Sequence, residues 1–305
     1  MSRFIPRMAV LAAALVLLGA CQTAPPKPIA APAVKSIDIN SVRLSYIEQG
    51  KGAPVVLVHG AFSDARAWES QREAVAGCCR FIALTQRYFG TEPWPDAGQQ
   101  YSQQTHVADL AAFIRALDSG PVHLVGRSYG ATVALILAAQ QPALVRSVLA
   151  QDPSIATVVT DAAELKVLAD DSAGLAPARA ASNAGRLAEA TRMFADWTNN
   201  LPGGFDAMPA AARDAHLDNA RTVPLHFAST PGPRVTCADL GQLKMPVVIT
   251  TGALDRPYFR VFSETTQRCI PGARLVRIPD ARHAATAQNP AAFNAELLAL
   301  VKANP

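Results

Sequence analysis

Val122-His123-Leu124-Val125-Gly126-Arg127-Ser128-Tyr129-Gly130-Ala131-Thr132-Val133-Ala134-Leu135-Ile136-Leu137-Ala138-Ala139 decides how this chain is read. Four apolar, β-type residues lead into Gly-Arg-Ser-Tyr-Gly, and a helix-length apolar run follows. Strand, tight turn and helix is the setting in which a G-x-S-x-G pentapeptide lifts a serine hydroxyl out of the end of a sheet. The two glycines let the backbone turn sharply and let helix and strand approach closely, so that a strained serine points outward.

The same rhythm continues on both sides. Lys35–Ile39 and Val42–Gln49 alternate as an opening hairpin. Pro54–Val58 reads as a buried strand closed by His59-Gly60, Ala65–Val75 as a helix and Arg80–Leu84 as a strand. Val107, Leu110, Ala111, Ile114 and Leu117 fall at helical spacing within Thr105–Leu117. Val145–Gln151 is a strand. After an interruption come strand Val247–Thr251, helix Tyr258–Cys269, strand Ala273–Ile278 and helix Ala291–Val301. Strands alternating with helices predict an α/β fold whose mostly parallel sheet is covered on both faces. The interruption, 154–234, is Ala-rich, helical and broken by prolines. It is expected as an inserted helical cap over the C-terminal edge of the sheet, where open α/β sheets place ligands. The core is then 35–153 together with 235–305.

In 305 residues with 50% hydrophobic content there is material for one large core with an accessory unit. The net charge of +4 contains no basic block, so nucleic acid is not an expected partner. Arg3 and Arg7 precede the apolar run Met8–Leu18, which is too short to span a bilayer comfortably, and Leu18-Gly19-Ala20-Cys21 follows. This end resembles the lipobox of bacterial lipoproteins. The resemblance implies a signal peptide over 1–20, lipidation of Cys21 and a membrane anchor in the cell envelope. With Gln22 after the cysteine, the periplasmic side of the outer membrane is the expected place, and a soluble periplasmic or secreted protein is the alternative. Residues 21–34, rich in Pro and Ala, read as an extended tether. Cys78, Cys79, Cys237 and Cys269 remain and allow three pairings. Cys237 precedes a strand and Cys269 ends the helix that returns after it, so Cys237–Cys269 is the expected bridge, with free thiols as the alternative. No His/Cys cluster has zinc spacing, and no metal is expected.

Val55-Val56-Leu57-Val58-His59-Gly60, the Gly126–Gly130 pentapeptide, Asp255 after the next-to-last strand and His283 after the last together resemble the α/β-hydrolase superfamily over about residues 35–302. The resemblance implies a triad in the order Ser, acid, His. Ser128 is then the nucleophile, His283 the base that a serine hydroxyl needs, and Asp255 the acid that orients the imidazole, with Asp152 after strand Val145–Gln151 as the alternative acid. The backbone amides of Tyr129 and of Ala61 or Phe62 would form the oxyanion hole. Gln86 stands where many members carry the Asp of an Asp-x-x-Gly turn. Trp68, Tyr88, Phe194 and Trp197 are candidates to line an apolar substrate pocket, and each also suits a core position. Arg127 is read as an ordinary exposed arginine, with contact to an anionic substrate as the alternative.

The expected activity is hydrolysis of carboxylic esters or related small acyl substrates through an acyl-enzyme on Ser128, without a cofactor. C–C bond hydrolase, lactonase and perhydrolase chemistry use the same triad and stay open, as does a noncatalytic ligand-binding envelope lipoprotein on a decayed scaffold. Oligomeric state is not legible in the sequence.

Overall fold

Apolar runs too short for helices become one eight-stranded sheet in the computed structural model, which describes Met1 and residues 33–229, 232 and 234–305. Residues 2–32, with the expected signal peptide, Cys21 and most of the tether, lie outside the described residues. No helix among the described residues is long and apolar enough to cross a membrane.

Strands β1 (Val34–Ile39) and β2 (Val42–Gln49) form the opening hairpin, followed by β3 (Pro54–Val58), α1 (Glu69–Ala76) and β4 (Arg80–Leu84). Then come α2 (Gln103–Ala116), β5 (Val122–Arg127), α3 (Tyr129–Gln140) and β6 (Val145–Gln151). Five helices interrupt the pattern: α4 (Ala162–Ser172), α5 (Ala176–Asn183), α6 (Leu187–Thr198), α7 (Ala210–Asp218) and α8 (Val223–Ala228). The chain returns through α9 (Cys237–Leu240), β7 (Val247–Gly252), α10 (Pro257–Cys269), β8 (Arg274–Ile278), α11 (Ala285–Gln288) and α12 (Pro290–Ala303). The spatial order is β1-β2-β4-β3-β5-β6-β7-β8. It is antiparallel through β4 on the hairpin side and parallel from there on.

The two-residue period of a strand sorts side chains onto two faces. Val56, Val58, Ile82, Leu84 and Leu124 face a core completed by Leu110 and Phe113 of α2 and by α3. Val55, Leu57, Phe81, Ala83 and Val125 face the other, completed by Val75 of α1 and by Phe293, Leu297 and Leu300 of α12. Each fully buried Leu, Ile or Phe contributes about 1.5–3 kcal/mol to this packing. Helix α3 is buried on every face from Tyr129 to Ala138, because it sits between the sheet and α2. Its apolar run therefore shows no amphipathic stripe. Trp68 lies in the second core, fully buried against Phe293 with ring centroids 6.4 Å apart. A disulfide joins Cys237 of α9 to Cys269 of α10 across a Cα separation of 4.8 Å, while Cys78 and Cys79 are free thiols.

Candidate active site

Ser128 occupies the single step between β5 and α3 and has φ 53° and ψ −120°, a conformation that strains a residue with a side chain by roughly 1–3 kcal/mol. Hydrogen bonds hold it there. Its amide donates to Gln151 O at 2.7 Å, and its carbonyl accepts from Thr132 N at 3.0 Å. Neighbouring backbone leaves no room for alternatives to the glycines. A methyl group on Gly126 would lie 2.5 Å from Ala131 Cα, and one on Gly130 would be driven into the carbonyl oxygens of Val58 and His59.

His283 reaches the same sheet edge from the loop after β8. Its ring is buried and lies flat against Phe259, with centroids 3.7 Å apart and planes within 12°. Its Nδ1 is 3.0 Å from Oδ2 of Asp152, the first residue past β6. Asp152 stands in the left-handed region at φ 49°, its amide donating to Thr250 O at 2.9 Å. Gln151 Nε2 donates both to Asp152 Oδ2 and, at 3.1 Å, to His283 O, tying acid and base together. Ser263 Oγ donates to Asp152 Oδ1 at 3.3 Å.

The order expected from the sequence, Asp255 before Asp152, is thus reversed in the geometry. Asp255 folds back on its own turn. Its Oδ2 accepts from Gly252 N at 2.6 Å and from Thr251 Oγ1 at 3.0 Å, and its buried Oδ1 has no donor. It still lies close, since donor atoms of Asp152, Asp255 and His283 fall within 4.8 Å of one another. The oxygens of Asp152 and the Oδ2 of Asp255 are already engaged, so the chemistry of this set is proton sharing. Burial raises both carboxyls, and repulsion from Asp152 adds to the rise of Asp255, which reaches about 8. Asp152 is raised to about 7, so the pair titrates around neutrality and Asp255 holds a proton more tightly than Asp152 does. Burial, with Arg127 adding to it, pushes the His283 imidazole well below its usual range. The neutral ring presents Nε2 as its free nitrogen, with the tautomer fixed by Asp152.

Ser128 and His283 line one cavity of about 20 Å³ with Gly60, Ala61, Arg127 and Phe194. Among the described residues no hydrogen bond joins Ser128 Oγ to the His283 ring; such contacts often tighten only around a substrate. Tyr129 opens α3, where the first amides lack intrahelical acceptors and the helix dipole favours negative charge. The facing loop carries Ala61 at the cavity wall and Phe62 at φ 55°. His59 anchors that loop. Its Nε2 accepts from Gln86 N at 3.0 Å, so Nδ1 carries the hydrogen and donates to Gly60 O at 2.8 Å. Gln86 Nε2 returns a bond to His59 O at 2.9 Å. The side-chain amide that replaces the expected Asp thus braces the loop carrying Gly60 and Ala61, and burial keeps His59 neutral by lowering it to about 4.

Of the aromatic candidates, Phe194 lines the cavity. Trp68 belongs to the core described above. Tyr88 is buried in a separate cluster with Phe89 and Tyr101. Trp197 packs against Phe259 and Leu175 where cap meets core, with its Nε1 donating to Asp171 O at 3.1 Å. Phe194 and Trp197, three residues apart on α6, pack with ring centroids 6.2 Å apart, but only Phe194 reaches the cavity while Trp197 meets Phe259 of α10. The sequence reading missed Thr198, Asn199 and His216, which line the cavity from α6, the residue after it, and α7. His216 is neutral, lowered by burial to about 4. Nothing in a helical pattern distinguishes these three from surface polar residues. Arg127 is also a wall residue of the cavity rather than an ordinary exposed one.

Known proteins place this arrangement. Residues 55–296 match the Alpha/beta hydrolase family. The 2-(acetamidomethylene)succinate hydrolase of Mesorhizobium japonicum is 29% identical over 256 residues, covering 82% of this chain and 88% of that protein. A thermophilic esterase from Thermogutta terrifontis superposes with a TM-score of 0.64 at 21% identity, covering 89% of this chain and 98% of that one. Est816, an N-acyl homoserine lactone degrading enzyme, superposes with a TM-score of 0.70 at 19% identity, covering 87% and 99%. With the match running from β3 to α12, past His283, the chain belongs to the alpha/beta hydrolase family and is a hydrolase.

Proposed function

We propose that the protein hydrolyses carboxylic esters or related acyl compounds through an acyl-enzyme on Ser128. One observation carries the reading: a serine held in a left-handed turn lines the same cavity as a neutral imidazole whose other nitrogen is fixed by a buried carboxylate. In this mechanism His283 Nε2 takes the Ser128 proton as Oγ attacks the carbonyl carbon. Asp152 steadies the imidazolium, and the amides of Tyr129 and of Ala61 or Phe62 hold the oxyanion. His283 then protonates the leaving group, and a water activated by the same imidazole releases the acid.

The test is labelling by a fluorophosphonate alongside turnover of a panel of short esters. Wild type should label and turn over. Ser128→Ala should lose labelling and fall by about 10⁴-fold or more in kcat. Labelling that survives in Ser128→Ala would assign the reaction elsewhere, and folded wild type that neither labels nor turns over would favour a binding protein. The name of the Mesorhizobium relative puts an acetamido compound among the substrates to try.

The lipobox-like Leu18–Cys21 supports a second part of the proposal, a lipid anchor on Cys21 in the bacterial envelope. Incorporation of labelled palmitate in wild type but not in Cys21→Ser would support it, and equal incorporation in both would refute it.

A further inference from the structure

We propose that Arg127 makes the cavity selective for acyl substrates that carry a carboxylate close to the scissile bond. The proposal rests on the hydrolase reading of Ser128 and names the substrate class.

Arg127 is the last residue of β5, paired in register with Gln151, and it lines the same cavity as Ser128. Its Nε is buried and has no hydrogen-bond partner. The more deeply buried Arg87 and Arg72 are matched to acids at 2.7 Å, Asp109 and Glu69 respectively, whereas half-buried Arg127, like Arg282 outside the cavity, has an Nε with no partner. Among the described residues no carboxylate lies within the 4.0 Å of an ion pair with Arg127. Asp152 and Asp255 act on the Arg127 charge from beyond ion-pair distance, and the Nε still lacks an acceptor, which a bound anion would supply.

The neighbouring groups do not supply it. Asp152 directs its oxygens to His283, Gln151 and Ser263, and Asp255 directs Oδ2 to Gly252 and Thr251. The imidazoles of His216 and His283, which share the cavity wall, are neutral by burial. Arg127 is therefore the formal positive charge of the wall, and it is adjacent in sequence to the nucleophile. A planar guanidinium fork matches a carboxylate with two parallel hydrogen bonds, and removing water strengthens the pair. Because Arg127 and Ser128 are consecutive residues, the recognised carboxylate belongs within a few bonds of the reacting carbonyl. Monoesters of short dicarboxylic acids fit that description.

The experiment compares the p-nitrophenyl monoester of succinic acid with p-nitrophenyl pentanoate, a neutral ester of similar length, by the ratio of their kcat/KM values. Wild type should favour the anionic ester, Arg127→Gln should lower the ratio by about 10–100-fold, and Arg127→Lys should restore part of it. A ratio unchanged in Arg127→Gln would overturn the proposal and leave the arginine as charge balance for Asp152. Ser128→Ala protein gives a readout without turnover. By calorimetry, monoethyl succinate should bind more tightly than ethyl butyrate, and addition of Arg127→Gln should abolish the difference. Equal binding of the two probes by Ser128→Ala would sink the carboxylate assignment even if esters are hydrolysed. Wild type that turns over neither ester while Ser128→Ala still selects the anion would instead sink the hydrolase reading alone. If Arg127→Gln fails to fold, loss of the wild-type preference with rising salt, and its partial survival in Arg127→Lys, decide the matter.

Discussion

The edge of the sheet and the cap over it are held by different means. At the edge, Ser128, Asp152 and Phe62 stand at φ 53°, 49° and 55°, each at a strand end or in the loop just beyond one. Ser128 and Asp152 are set by backbone hydrogen bonds, and backbone carbonyls tolerate no methyl group at Gly130. The cap is held by side chains. Phe62 meets Phe194 edge-on at 4.5 Å, Asn219 reaches Asp64 Oδ2 at 2.8 Å, and Arg256 grips Asp171 through both oxygens. Between them the cavity of about 20 Å³ has room for a water and none for an ester. On the proposed ester reading, the part held by side chains is the one expected to give way to a substrate, while the part held by backbone keeps its geometry. Chemistry and admission are thus assigned to regions of different stiffness.

The largest effect that can break this division concerns the two carboxyls at the edge. Asp152→Asn should lower kcat by about 10³–10⁴-fold with little change in KM, because the amide cannot hold His283 in the working tautomer or steady its charged form. Asp255→Asn replaces a protonated acid by a neutral group of the same shape and should stay within about 10-fold of wild type. Steady-state kinetics on one ester decides between them. The opposite ranking would transfer the acid function to the turn after β7.

A smaller effect tests the cap. Arg256 lies over the Trp197 ring at 4.1 Å and donates to Asp171 at 2.6 and 2.9 Å, pinning α4 and α6 to the start of α10. Both side chains are mostly buried, at 12% and 15% exposure, so Arg256→Met strands a carboxylate and should cost about 2–3 kcal/mol of stability in urea unfolding. KM should shift several-fold, and a bulky fluorophosphonate should label Ser128 faster as the cap loosens. Unchanged labelling with lowered stability would show that admission does not depend on this contact.

The same contrast explains what the sequence made legible. The strand–Gly126–Gly130–helix pattern, the strand alternation and the position of His283 were readable because backbone geometry restricts which residues can occupy them. Asp152 and Asp255 both come just after strands. Family position ranked Asp255 first, and the geometry reverses that order because Gly252 and Thr251 capture its carboxylate locally. Trp68, Tyr88 and Trp197 are apolar and large wherever they sit, and only packing separates core from pocket. Arg127 misled for a related reason. An arginine at a strand end is ordinarily exposed, and the α6 residues that share its cavity lie some 60 residues later in the chain. Gln86 broke the expected motif on paper, yet its two bonds to His59 keep the loop in place by different atoms.

A pH dependence of stability separates the two acids without any measurement of activity. Asp255 is raised to about 8 by burial and by Asp152, from an unfolded value near 4. The folded state therefore holds a proton that the unfolded chain releases. The stability associated with that proton is fully present below about pH 4 and is lost as pH rises toward 8. Asp255→Asn removes the titration, so its stability relative to wild type should climb across this window and level off above it. Urea midpoints at pH 5, 7 and 9 measure the climb. Asp152 is raised as well, and Asp152→Asn also removes the repulsion that lifts Asp255, so the double variant should be flatter with pH than either single one. A wild type whose stability does not decline relative to Asp255→Asn between pH 5 and 9 would mean that Asp255 is ionised in the folded protein. The buried edge would then hold two negative charges beside Arg127, and the division of labour between the acids would have to be drawn again.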